Sequence, residues 1–338
     1  MLKNTVVKNI LKIESELYEK LDNVNVRDDV IGPIVDTLHD VEKTYEKKLS
    51  NGLIFQFKYS SKISRDFILS NLEYPDTVYE PQTTKLLLHL AKFSGDFLIG
   101  GAYIGDHAIL IANKISKNNK VCCFEANKKQ FKILEKNIEI NKIKNIDTCL
   151  KALWHKDDIL LSFNDEDAYT TVGDHDSTKN EVETITIDSY CKLNNLNNLN
   201  TILLDIEGSE INALSGAKDI LSGENSPNIV FEINSSFVDW SNGLKNTSII
   251  KNLNDYGYKH IFAIRDFQSN IDMSGCKIEL VPIDSVYLPN KPHGFNLIAT
   301  KNLDILHDDN IRFVDNVSPK LLKHEDKKYH QPSEWDIK

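Results

Sequence analysis

The chain is short of the features that would settle its class quickly. It has no run of 18 apolar residues and no apolar leader core, since Met1-Leu2-Lys3-Asn4 runs into a charged amphipathic segment. No membrane partner is expected, and a cytoplasmic location is. Its five cysteines (Cys122, Cys123, Cys149, Cys191, Cys276) have no metal-type spacing, and adjacent Cys122 and Cys123 read as core thiols in an apolar run. It also lacks an excess of basic charge. With 40 Lys and Arg against 50 Asp and Glu, the net charge of −10 excludes general affinity for nucleic acid or anionic lipid. No low-complexity tract suggests disorder. What is present, 41% hydrophobic residues in 338, is enough for one large α/β domain with additions, or for two domains.

Residues 1–50 read as two helices. Val7, Ile10, Leu11, Leu17 and Leu21 form a stripe along the first; Pro33 suits the first turn of the second, with Ile34, Leu38, Val41 and Tyr45 inward. Asn51-Gly52 signals a turn before a strand over 54–59. More helix follows over 63–90, broken at Pro75 and Pro81. Strands and helices then alternate. Central strands are expected over 97–99, 121–124, 146–153, 201–204 and 229–231. A strand pair at 159–163 and 182–187 flanks a polar loop with Tyr169, Thr170 and Thr171. Helices are expected over 128–140 and 248–256, and another carries Ile211, Leu214, Ala217 and Leu221. Strands over 260–264 and 296–300 close the pattern, with an irregular stretch between them. This alternation specifies an α/β fold, a doubly wound, mostly parallel sheet with helices on both faces. Three units are expected: a helical N-terminal extension over 1–74, a main domain over 75–301, and a polar, loosely packed extension over 302–338. The first would act as a cap or as a self-association element giving a homo-oligomer.

Residues 95–108 organise the rest. Phe97, Leu98 and Ile99 meet the pair Gly100-Gly101, with a third glycine at Gly105; Ile104, Ala108, Ile111, Ala112 and Ile115 then follow helical spacing. Glycines let a ligand approach bare backbone, and the helix behind aims free N–H groups and its positive end at it. A purely structural turn has the same form. In such sheets ligands sit at the carboxyl ends of strands, where Gly101 to Gly105, Glu125, Asp205 to Glu207 and Glu232 all fall. Glu125, about 20 residues past the turn, can accept both hydroxyl hydrogens of a ribose. Two ligands then fit, a nicotinamide dinucleotide or S-adenosylmethionine. The glycine spacing departs from the G-x-G-x-x-G that seats a pyrophosphate.

Four segments narrow this further. They are Gly101-Ala102-Tyr103-Ile104-Gly105, Phe124-Glu125-Ala126-Asn127, the helix from Leu134 to Asn141, and Leu204-Asp205-Ile206-Glu207-Gly208-Ser209-Glu210-Ile211 with Leu214 and Gly216-Ala217 behind it. In this order they resemble the FkbM-type methyltransferases, a branch of the S-adenosylmethionine-dependent class I fold. Tyr79-Glu80-Pro81 and Thr186-Ile187-Asp188 also fit, and the resemblance spans roughly 75–300. It implies a class I methyltransferase-like, Rossmann-like sheet over 75–301 and S-adenosylmethionine as cofactor. The cofactor residues it implies are Glu80, Gly101, Ala102, Tyr103, Gly105, Asp106, Glu125, Ala126 and Asp205. The acceptor it implies is a hydroxyl, of a sugar in a glycan or of a small metabolite, with a nitrogen or carboxyl acceptor left open. Two positions depart from the family pattern: Ile99 stands where an aspartate is usual, and Tyr103 where an asparagine is. That aspartate helps hold the amino end of the cofactor, so Asp106, or else Glu80, is expected to replace it.

The implied chemistry is an in-line displacement, in which the protein aligns three atoms and removes a proton from the attacking hydroxyl. Asp205 or Glu207 is the expected base, with Glu232 orienting the acceptor. Asp205 and Glu207 could instead cap the next helix. Three clustered carboxylates can also hold Mg²⁺, and the sequence does not separate a metal from bare carboxylates. His155, His175 and His293 read as surface or structural residues, with His293 in reserve as a base. Ile99 and Tyr103 motivate a second reading, a nucleoside-binding module without catalysis; a nicotinamide-dependent oxidoreductase is disfavoured by the glycine spacing.

Overall fold

The computed structural model describes residues 3–70, 79–163, 180–223, 225–266, 276–288, 294–320, 326 and 328. The chain begins with α1 (Asn4–Lys20), a π turn over Val26–Ile31, α2 (Gly32–Asp36), the hairpin β1 (Thr44–Lys48) and β2 (Ile54–Lys58), and α3 (Lys62–Leu69). The main body then runs α4 (Pro81–Leu90), β3 (Asp96–Gly100), α5 (Asp106–Lys114), β4 (Val121–Phe124), α6 (Lys128–Ile140) and β5 (Ile146–Cys149). Three short strands follow, β6 (Ala152–Leu153), β7 (Leu160–Phe163) and β8 (Asn180–Ile185), then α7 (Ile187–Leu193) and β9 (Leu199–Leu204). The remainder is α8 (Glu210–Ser215), α9 (Lys218–Ser222), β10 (Asn228–Asn234), α10 (Ser248–Asp255), β11 (His260–Ile264), β12 (Ile278–Pro282), β13 (Gly294–Thr300) and β14 (Ile311–Phe313).

Nine strands form the central sheet, in the order β14-β12-β11-β13-β10-β9-β3-β4-β5. The run β10-β9-β3-β4-β5 is parallel, and β13 lies antiparallel between β10 and β11. The chain moves outward from β3 through β4 to β5, then crosses back to start the other half at β9. The strand order therefore reverses between β3 and β9, where open α/β sheets bind ligands. Alternation along β3 builds both layers of core. Phe97 and Ile99 pack with Leu86, Leu90, Ala108 and Ile111 of α4 and α5. Leu98 points the other way, into a core with Leu214, Leu221, Ile250 and Leu253. Helices thus cover both faces, and the central strands read as continuous apolar runs for that reason.

The N-terminal elements dock through polar groups placed for the purpose. Asn137 and Asn141, one turn apart on α6, act as a partner for the edge of β2. The Gln56 and Ile54 N–H groups donate to their side-chain oxygens at 2.7 and 2.8 Å, and their amides donate back to the Gln56 and Ile54 carbonyls at 3.0 and 2.7 Å. Beneath α1, the buried Arg27 donates through Nε and Nη2 to Glu14 at 2.5 and 2.8 Å and through Nη1 to Asp66 at 2.6 Å. Glu14 has no exposed surface, so this pairing lets a carboxylate occupy the inward stripe of α1.

Five expectations need correction. The second N-terminal helix is short: Val35 is its buried residue, Ile34 and Leu38 are exposed, and Tyr45 belongs to β1, opposite Phe57. The alternation of Tyr45, Lys47 and Leu49 has strand period, and Lys47 is buried because its ammonium reaches the Ser70 carbonyl at 3.2 Å. The helix through Ile211 and Leu221 is two helices. A Cβ at Gly216 would lie 2.1 Å from the Trp154 carbonyl oxygen, and the Asp188 side chain caps the second piece through the Asp219 and Ile220 N–H groups. The strand over 146–153 stops at Cys149, and β6 pairs instead with β8 in a small separate sheet.

Finally, the stretch between β11 and β13 contains β12, and the C-terminal extension is packed through at least residue 320, with β14 on the sheet edge and Leu306, Val314 and Val317 buried. Charge hid this part: buried Glu279 sits between Arg265 at 2.7 Å and Arg312 at 2.6 Å, a pairing that exists only once the strands meet. Pro75, Tyr169, Thr170, Thr171, His175 and His293 lie outside the described residues.

Candidate active site

A cleft of about 930 Å³ opens at the carboxyl ends of β3, β4 and β9, beneath Ser61, Lys62 and Ile63 at the start of α3. Of the expected cofactor residues, Gly101, Tyr103, Glu125, Ala126 and Asp205 line it, and so does Glu207. Ala102 and Gly105 shape the turn behind it. Glu80, Asp106 and Glu232 are not on its wall, and His155 is exposed and apart from it.

The glycine turn is held by its neighbours. The Gly101 and Ala102 N–H groups both donate to the Phe124 carbonyl at 3.0 Å, and the Asp205 N–H donates to the Gly100 carbonyl at 3.1 Å. Gly101 has φ +78°, and a Cβ there would fall 1.8 Å from the Asp205 carbonyl oxygen, so both conformation and space require glycine. Glu125, buried at the end of β4, accepts the Tyr103 N–H at 2.8 Å and the Asn127 N–H at 2.7 Å. These bonds aim a carboxylate at the cleft. A carboxylate on one side and the apolar walls Leu153, Trp154 and Ile206 on others suit a nucleoside, a diol with an aromatic base. The Tyr103 hydroxyl lies 3.0 Å from Ser61 Oγ, tying the turn to the element above it.

Ile99 is in the core against α4 and α5 and does not face the cleft. Its two expected replacements differ. Asp106, at the start of α5, lines a separate cavity of about 220 Å³ with Phe55, Phe67 and Leu110. Burial pushes its carboxyl upward, only partly offset by His107. Burial also acts on Glu80, but the His107 ring, Lys320 and the Asn296 amide, 2.6 Å away, outweigh it and hold this carboxyl below its ordinary value. His107 lies 3.8 Å from Glu80 and 3.9 Å from Asp106, and these carboxylates raise its pKa against burial. The charge on Glu80 reaches Asp205, Glu207 and Glu232.

Those three carboxylates converge. One oxygen from each of Asp205, Glu207 and Glu232 lies within 4.8 Å of the others. Two unit charges at such a distance repel by about 3 kcal/mol at an effective dielectric near 20. Burial with repulsion from Glu210 and Glu80 pushes Glu207 to about 7, burial with repulsion from Glu207 and Glu80 pushes Glu232 to about 8, and burial with repulsion from Glu232, Glu80 and Glu207 raises Asp205 well above the carboxylate range. The backbone aims them. Glu207 has φ +49°, a left-handed conformation costly for a residue with a side chain. Neither Asp205 nor Glu207 caps the following helix in the described residues. Glu210 holds that loop, accepting the Ile206 and Gly208 N–H groups at 3.0 and 3.3 Å.

Sequence reasoning passed over four neighbours of Glu80. Asp266, at the end of β11, accepts the Gln82 and Thr83 N–H groups and so caps α4 from far along the chain; burial pushes it to about 7. Its place at the carboxyl end of a strand was a usable signal. His107, Asn296 and Lys320 gave none, because only the folded sheet brings them to Glu80.

Residues 100–260 match the family model of the methyltransferase FkbM domain. No curated protein matches the chain. Similar solved structures include a SAM-dependent methyltransferase from Agrobacterium tumefaciens (10% identity, 77% of this chain and 70% of that one, TM-score 0.40). Others are a precorrin-6y C5,15-methyltransferase from Geobacter metallireducens (11%, 66% and 89%, TM-score 0.36) and Aeropyrum pernix fibrillarin with natively bound S-adenosyl-L-methionine (14%, 64% and 74%, TM-score 0.34). The strand order, with its reversal between β3 and β9 and an antiparallel β13, is that of the class I methyltransferase sheet. Fold and family match agree: residues 100–260 are a methyltransferase FkbM domain, and the chain is an S-adenosylmethionine-dependent methyltransferase.

Proposed function

We propose that the chain methylates a hydroxyl group of a small molecule or glycan. The observation that carries this reading is the convergence of Asp205, Glu207 and Glu232 beside the cofactor cleft, with Glu207 near 7 and Glu232 near 8. A general base works best with a pKa near the operating pH. When bound, S-adenosylmethionine supplies an electrophilic methyl group on a sulfonium. Glu125 would accept its ribose hydroxyls, the Gly101 to Gly105 turn would lie against its methionine part, and Glu80, next to the cleft-lining Tyr79 and ionised where Asp106 tends to neutrality, would take the ammonium in place of the missing aspartate. Glu207, on the cleft wall, takes the proton from the acceptor oxygen, while Glu232 and Asp205 orient that hydroxyl in line with the methyl group. A cluster of acidic groups repels phosphate, which favours a neutral acceptor over a nucleic acid or an anionic lipid.

The test is transfer of labelled methyl from S-adenosylmethionine to a panel of sugars, polyols and phenols, with amine and carboxylic acid acceptors alongside. O-methylated product is expected, and Glu207→Gln should lower kcat by about 100-fold or more. Labelling confined to amines or carboxylic acids would overturn the assignment of a hydroxyl acceptor.

A further inference from the structure

The carboxylate cluster has a fourth oxygen that no hydrogen bond explains. Asn296 is 1% exposed and pairs directly with Glu232 across the β10–β13 ladder, so the two side chains rise from the same face as neighbours. Its Nδ2 donates to Glu80 Oε2 at 2.6 Å, which assigns the orientation of the amide. The geminal Oδ1, on the residue paired with Glu232, is buried and has no hydrogen-bond donor among the described residues. A buried amide oxygen in that position is satisfied by a donor or by a cation. The carboxyls of the cluster supply a donor while protonated and none once ionised, the state that a cation selects.

Room has also been kept for Glu232. A Cβ at Gly294 would lie 1.9 Å from Glu232 Oε1, so the neighbouring strand carries glycine where any side chain would displace this carboxylate.

We propose that Asp205, Glu207, Glu232 and the Asn296 side-chain oxygen bind one hard divalent cation of the Mg²⁺ type. One oxygen from each carboxylate lies within 4.8 Å of the others, as ligands at about 2.0–2.6 Å from a common ion must. All four donors are oxygens, with no imidazole or thiolate among them, which selects Mg²⁺, Mn²⁺ or Ca²⁺ over zinc or copper. The ion offsets the mutual repulsion of the three carboxylates and leaves open coordination positions for an acceptor oxygen. Only this role rests on the proposed hydroxyl transfer; the binding does not.

The full-length protein, freed of metal with a chelator and dialysed, is titrated with MgCl₂ and CaCl₂ by calorimetry. Mn²⁺ binding is followed by loss of the free-ion electron paramagnetic resonance signal, and S-adenosylmethionine is titrated in parallel. One ion per chain is expected. Asn296→Leu and Glu232→Gln should each weaken binding at least about tenfold, and Asn296→Asp, which keeps an oxygen there, should retain it. No binding of any of the three ions at millimolar concentration to protein shown folded by circular dichroism would overturn the proposal. So would affinities unchanged in both Asn296→Leu and Glu232→Gln. Cofactor binding without cation binding sinks the cation site alone; cation binding without cofactor binding sinks the transferase reading and leaves the site standing.

Discussion

Replacing Glu232 with glutamine should make the protein less sensitive to alkali. The native carboxyl rises from 4.5 to about 8, first through burial and then through repulsion from Glu207 and Glu80. An acid whose folded pKa exceeds its unfolded one contributes stability that is complete below the unfolded value and lost as pH rises through the folded value. Stability should therefore decline from about pH 4.5 upward and level off above about pH 8, with Glu207, at about 7, titrating in the same window. At about 1.4 kcal/mol per pH unit, the ceiling for Glu232 alone is on the order of 5 kcal/mol. Partial exposure to solvent and sharing among the coupled carboxylates bring the expected effect to about 1–3 kcal/mol. Glutamine keeps the shape and stays neutral, so Glu232→Gln should lose correspondingly less stability between about pH 4.5 and pH 8, though some slope from Glu207 remains. Urea unfolding followed by circular dichroism across that range, with chelator present, measures it. A native stability that stays level, or a variant that declines as steeply as the parent, would refute the reasoning.

Three further perturbations probe other parts of the account. Gly101→Ala places a side chain at φ +78° against the Asp205 carbonyl, costing about 1–2 kcal/mol for the conformation alone; thermal unfolding should begin earlier and cofactor affinity fall, and an unchanged melting temperature would count against the geometry. Arg27→Met leaves Glu14 and Asp66 without their buried cation and should cost about 3–5 kcal/mol in urea unfolding, part of it recovered by adding Glu14→Leu. Glu80→Gln should weaken S-adenosylmethionine binding about tenfold in calorimetry, consistent with losing one charge-assisted bond, whereas Asp106→Asn should change it little; the reverse ranking would return the ammonium to Asp106.

Much of the fold was legible because the central strands are buried on both faces and so appear as short apolar runs between helical stripes. Runs such as 121–124 and 260–264 need no long-range information to be recognised. The site was legible at Gly101, Glu125 and Asp205 for a related reason, since glycine turns and strand-end carboxylates have local signatures. What the sequence hid depends on contacts distant along the chain. Tyr45 joins a strand because Phe57 lies opposite it; β12 and β14 carry Glu279 and Arg312, which read as surface until they pair; Gly216 breaks a helix because the Trp154 carbonyl fills the space beside it. Asn296 and Lys320 illustrate the limit most clearly. Neither sits in a motif, yet both act on Glu80, some 216 and 240 residues away in sequence.

The central claim is that the cleft over Glu125 holds S-adenosylmethionine. Isothermal titration of the full-length protein with S-adenosylmethionine, S-adenosylhomocysteine and NAD tests it most directly, with Glu125→Ala in parallel. The account predicts one saturable site for each of the first two, no heat from NAD, and at least about a tenfold loss of affinity in the variant, as expected for removal of hydrogen bonds to a charged group. Binding of NAD in preference to S-adenosylmethionine, or affinity indifferent to Glu125, would contradict it.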